Sequence, residues 1–147
     1  MENIDLIIQK IRKDFFIYRN GIIAENLRRT YPDNIKIFGL MVPQFIEISK
    51  KYPKNLNLGL TLWNDCSCRE SRILSLYIIP PAELDKETVI EMIKGVRSIE
   101  EADFLAFKIL RNTMFAKELY EEINKDLISD SCVNYCMKMY KKNIENL

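Results

Sequence analysis

The sequence predicts an all-α chain of stacked antiparallel helical hairpins. Three observations lead there. Apolar residues recur at three- and four-residue steps in segment after segment, the period of an amphipathic helix. Only 4 glycines and 5 prolines punctuate 147 residues, so few sharp turns are available, and helices with short connections fit better than a many-stranded sheet. Two Ser-x-x-Glu stretches, at 67–70 and 98–101, have the form of a capping box, in which the serine covers a free backbone amide and the glutamate reaches back to the serine's own.

Each element follows in order. Ile4, Ile7, Ile8, Ile11, Phe15 and Tyr18 mark one face of a first helix, stopped at "RNG". "IIAENLRR" reads as a short second helix. "TYPDNIKIFGLM" is a loop in which Ile35, Ile37 and Phe38 form a brief extended stretch with nothing following to pair with it. Val42-Pro43 starts the next helix, since proline is tolerated at the first helical position. Phe45, Ile46 and Ile48 bury one side of it, and Tyr52-Pro53 closes it. "NLNLGLTLW" follows, with Leu56, Leu60 and Trp63 inward. A helix from Ser67 carries a wide apolar face, Ile73, Leu74, Tyr77 and Ile78, and ends at Pro80-Pro81. Further helices are expected over 85–94, 98–110, 113–123 and 131–147. Helices of this length with short loops suggest HEAT-like repeats, an α-α superhelix forming a single domain over 1–147. A compact irregular bundle is the alternative.

Composition narrows the chemistry. Hydrophobic residues make up 48% and charged residues 29%, as in a globular chain, and the formal net charge is +1, so any basic surface is local. No signal peptide and no uncharged run long enough to span a membrane occur, which makes a cytoplasmic, reducing location the expectation, with cysteines as thiols. The chain has no histidine, which removes Ser-His-Asp and Cys-His chemistry and histidine metal sites. No phosphate-binding glycine loop exists. Cys66-x-Cys68 and Cys132-x-x-x-Cys136 lack the spacing of paired zinc knuckles, so neither metal nor cofactor is expected.

Individual residues carry weaker signals. Trp63 at a helix end fits inter-helix packing better than base stacking. Arg69 and Arg72 could touch phosphate, whereas Glu70 between them fits a cap. "ENLRR" and "KMYKK" read as solvated faces. Asp103, in "SIEEADFLAFKIL", stands within an apolar stripe of Ile99, Ala102, Ala106 and Ile109. A carboxylate there lies at an edge, pairs with a base such as Arg72 or Lys108, or lines a groove.

The stretch "FGLMVPQFIEISKKYPKNLNLGLTLWNDCSCRESRILSLYII" resembles the AlkD-type DNA alkylation repair family, the HEAT-like-repeat alkylpurine DNA glycosylases. Gly39, Val42, Pro43, Leu58, Leu62, Trp63, Arg69, Glu70, Arg72 and Leu74 stand at the places of that family's pattern, and the resemblance covers roughly residues 20–110. It implies that Asp103 takes the place of the catalytic aspartate, and that Arg69, Arg72, Arg111 and Lys138 meet the phosphates of double-stranded DNA. Several features depart from the pattern. The aromatic position four before Asp103 is Ile99. No arginine follows Arg111, so Lys138 stands in by spacing for the family's arginine from the following repeat. The part bearing the family's second site tryptophan has no counterpart here. The chain therefore resembles a truncated, divergent member. It implies either a DNA glycosylase excising alkylated purines or a non-catalytic helical module that binds nucleic acid or a protein partner.

Overall fold

The computed structural model describes residues 3–123, 130–145 and 147. Among them nine α-helices occur: α1 Ile4–Ile17, α2 Gly21–Leu27, α3 Val42–Ser49, α4 Leu56–Trp63, α5 Arg69–Ile78, α6 Lys86–Lys94, α7 Ile99–Lys108, α8 Ala116–Glu122 and α9 Ser131–Glu145. The fold is all-α, as the sequence predicts, and its packed helices match HEAT-like stacked hairpins. The helix expected over 131–147 stops at Glu145, and residue 146 of that span lies outside the described residues. The chain divides into two compact units, Met1–Ile79 and Pro80–Leu147.

In the first unit α5 is the central helix: every residue of it except Tyr77 is buried. Its neighbour α4 runs antiparallel to it. The Asn55 amide at the start of α4 donates to Ile78 O at the end of α5 (3.2 Å), and Arg72 near the start of α5 donates to Trp63 O at the end of α4 (3.1 Å). The buried face of α4 is Leu58, Gly59, Leu62 and Trp63, so Leu56 and Leu60 are only half-buried, contrary to the sequence expectation. Gly59 is the reason: a Cβ there would come within 2.3 Å of the Ile79 side chain, so the helices close on the glycine and rotate its neighbours inward.

The extended stretch at 35–38 does find a partner, contrary to expectation. Lys36 N donates to Ser67 O (2.7 Å) and Arg69 N donates to Lys36 O (3.0 Å), a single parallel bridge just before α5. Gly39 ends this stretch at φ +91°, where a Cβ would lie 2.2 Å from Asn20 O, so only glycine fits. Asn20 in turn caps α2, accepting from Ile22 N and Ile23 N. α1 buries Ile11 and Phe15 together with Asp14, whose carboxylate accepts from Tyr52 Oη (2.8 Å) and Lys51 Nζ (3.1 Å).

In the second unit α7 packs along α9, with α6 and α8 beside α9. Asp85 caps α6 through Thr88 N, and Ser98 caps α7 through Glu101 N. Tyr140 of α9 is fully buried, donates to Ala116 O (2.6 Å) and meets Tyr120 edge-on at 5.3 Å. Lys86 bridges to Glu118 and Glu122 of α8.

The first capping box does not close as the sequence suggests. At the first, Cys68 holds the N-cap position of α5, and Glu70 turns away to accept from Phe38 N (2.9 Å) and Gly39 N (3.1 Å). Those loop amides are buried or half-buried and have a stronger need of an acceptor than a helix start facing its own serine. At the second, Ser98 accepts from Glu101 N as expected, and the Glu101 carboxylate also accepts from Arg97 N (2.9 Å) and pairs with the Arg97 guanidinium at 2.9 Å.

Candidate functional site

The outer face of α7 carries Ile99, Asp103 and Phe107 at four-residue steps. All three are exposed, Ile99 by 56% and Phe107 by 47%. The inner face is Ala102, Leu105, Ala106 and, just past the helix, Ile109, each at 0% exposure. The apolar stripe read around Asp103 therefore splits: Ala102, Ala106 and Ile109 are core, while Ile99 and Asp103 face outward. The Asp103 carboxylate is exposed on that outer face. Its charge stays in water and needs no buried counter-ion.

α9 supplies its partner. Tyr135 Oη donates to Asp103 Oδ1 at 2.9 Å. The bond holds the Tyr135 phenol above its ordinary range, with burial and the Asp103 charge adding to the effect, so the hydroxyl stays a donor at neutral pH. One turn further along α9, Lys138 is exposed, and with Tyr120, Asn134, Tyr135 and Lys141 it lines a hollow of about 680 Å³. Beneath lies Cys136, whose thiol burial and the Asp103 charge push up to about 12, an inert core group.

At the far end of α7 the Arg111 guanidinium lies 3.9 Å from the Phe107 ring centroid. Arg111 is half-buried, and its Nε has no hydrogen-bond partner among the described residues. The second unit thus assembles Ile99, Asp103, Phe107, Arg111, Tyr135 and Lys138 from two packed helices and the turn after α7. Phe107 and Tyr135 were not singled out in the sequence. Phe107 had a readable signal, its four-residue step from Asp103. Tyr135 had none, because only the packing of α9 on α7 brings it there.

Arg69 and Arg72 lie elsewhere, inside the first unit, each only 3% exposed. Arg69 Nη1 donates to Leu40 O (2.9 Å) and Glu70 Oε2 (2.5 Å). The Arg72 guanidinium stacks 3.8 Å from the buried Trp63 ring. The phosphate role read for these two meets an interior placement: the loop amides at 38–39 recruit Glu70, and Glu70 recruits Arg69. Glu70 is buried as well, at 0% exposure. Trp63 is inter-helix packing, as its position in the sequence suggests.

Among the described residues no three His, Cys, Asp or Glu side chains gather in a way that could hold a metal ion, and no helix is long and apolar enough to cross a membrane. None of Cys66, Cys68, Cys132 and Cys136 is in a disulfide.

The family model described as DNA alkylation repair enzyme matches residues 11–133. No curated protein and no solved structure matches the chain. The match includes Asp103, Phe107 and Arg111 and stops two residues short of Tyr135. Because it takes in most of the sequence, running through the boundary between the two units, the chain belongs to the DNA alkylation repair enzyme family.

Proposed function

We propose that this protein excises cationic alkylated purines from double-stranded DNA, with Asp103 as the electrostatic stabiliser. The observation that carries the reading is the solvent-facing Asp103 carboxylate, fixed by the Tyr135 phenol on a face that also bears Phe107 and Arg111. An alkylated purine with a fixed positive charge is already a good leaving group. As the bond from C1′ to the base nitrogen breaks, its electron pair neutralises the base and the sugar becomes oxocarbenium-like. A carboxylate beside C1′ opposes that new charge and orients the water that attacks it. Arg111 and Lys138 offer phosphate contacts. Arg69 and Arg72 serve instead to hold α5 in place.

Base release from methylated duplex DNA tests this. Asp103→Asn should reduce the rate by about 10²–10³, the usual effect of removing one group aimed at developing charge. The fold should persist, because the side chain is exposed. A second reading, a non-catalytic module that binds DNA, draws support from Ile99 at the position where the family pattern has an aromatic residue. A parent protein that binds duplex DNA with steep salt dependence but releases no base would establish that reading in place of the first.

A further inference from the structure

The first unit carries a surface that the reading above does not use. Two adjoining hollows of about 480 and 550 Å³ share Phe16, Ile17, Lys36 and Phe38. Around these stand Lys13 and Arg19, with Arg12 paired to Asp65, and among the described residues that line the hollows none is a carboxylate. Phe16 is 56% and Ile17 70% exposed, at the C-terminal end of α1. Large apolar side chains left in water beside a ring of one sign of charge mark a docking surface rather than a solvated helix face.

We propose that this groove receives an acidic amphipathic peptide segment of a partner protein, its apolar side chains against Phe16 and Ile17 and its carboxylates toward Lys13 and Lys36. Charge complementarity sets the acidic character of the partner. The apolar centre decides between protein and nucleic acid. A nucleobase needs open aromatic faces to stack on. Here each ring already carries a cation on one face: the Arg19 guanidinium is 3.8 Å from the Phe16 centroid and Lys36 Nζ is 5.0 Å from that of Phe38. Arg19 is held there by its bond to Phe16 O (2.8 Å). The most exposed large apolar side chain of the lining, Ile17, is aliphatic and offers no ring at all. An amphipathic helix meets both demands, presenting leucine-type anchors on one stripe and glutamates on its flanks.

The probe is a fluorescein-labelled synthetic helix of about 16 residues, with leucines at three- and four-residue steps and glutamates between them. Binding is read by fluorescence anisotropy. Saturable binding to the full chain is expected, weakened at least about tenfold by Ile17→Asp and by the pair Lys13→Glu with Lys36→Glu. The same peptide with lysines for glutamates should bind at least about tenfold more weakly. Ile17→Ser replaces Ile17→Asp if the latter lowers the melting midpoint. Base release should be unchanged in all these variants. No saturable binding overturns the proposal. So does binding indifferent to the residue at 17, or tighter binding of a single-stranded oligonucleotide that depends on the lysines alone, which would make the groove a nucleic-acid surface.

Discussion

Glu70 is the residue on which the first unit turns. Its two oxygens accept from Phe38 N and Gly39 N, and one also takes the Arg69 guanidinium, itself bonded to Leu40 O. One carboxylate thereby ties the loop before α3 to the first turn of α5. Gly39 needs its left-handed backbone to bring those amides round, and Asn20 approaches too closely to admit any side chain. Removing one partner of a buried ion pair strands the other charge, so Glu70→Ala should destabilise the fold by about 3–5 kcal/mol. Glu70→Gln, which keeps one acceptor oxygen for the loop, should cost less. Urea denaturation of the two variants checks the order, and a Glu70→Ala protein as stable as the parent would dismiss the latch. The sequence made Glu70 conspicuous through Ser67 three residues before it. That local pattern gave the wrong partner, because the amides that won lie more than thirty residues earlier, out of reach of any spacing rule.

Among the elements, α7 and α9 carry the site, and here the sequence was half legible. The position, cap and inward residues of α7 follow from Ser98 and from the steps between Ala102, Ala106 and Ile109. What the period could not reveal was on which side of the stripe's edge Asp103 would fall, since one hundred degrees of rotation moves a residue from core to water. The α4 face was misread for a related reason: Gly59 carries no apolar side chain, so no pattern marks it as the point of closest approach. Tyr135 joins α9 to α7 at the chemistry itself. Tyr135→Phe removes one hydrogen bond to a charged acceptor while keeping the ring. The expected result is a loss of base release of about tenfold, the order of one such bond, with a smaller change in DNA affinity. An equal loss of affinity and rate would mean that the phenol binds DNA rather than positions Asp103. Ser98→Ala should cost about 1 kcal/mol of stability through the lost cap on Glu101 N.

At the scale of the whole molecule, the absence of histidine shapes the response to pH. No side chain of ordinary pKa titrates between the carboxylates and the thiols, so stability should have a flat top. The acid edge comes from carboxyls whose folded pKa is depressed. The Thr88 N–H lowers Asp85, and Lys86 lowers Glu118. Burial alone would raise Asp65, but bonds from Ser67 and Ser71 and the Arg12 charge bring it below its ordinary value. Such groups contribute fully above their unfolded pKa and lose that contribution as pH falls through the folded value. The alkaline edge has the opposite sign. Burial raises the Tyr140 phenol and pushes the Cys136 thiol up to about 12, and the bond to Asp14 raises Lys51. Their contribution is complete below the unfolded pKa and fades as pH rises through the folded one. Urea midpoints should therefore stay level from about pH 5 to 8 and fall on both sides. Tyr140→Phe should be less stable at neutral pH, having lost its bond to Ala116 O, yet should decline less steeply above about pH 10, because the phenol that must ionise is gone. If the variant and the parent fall with the same slope at alkaline pH, Tyr140 is not the group that sets that edge, and other groups held above their ordinary values, Cys68 and Cys136 among them, carry it.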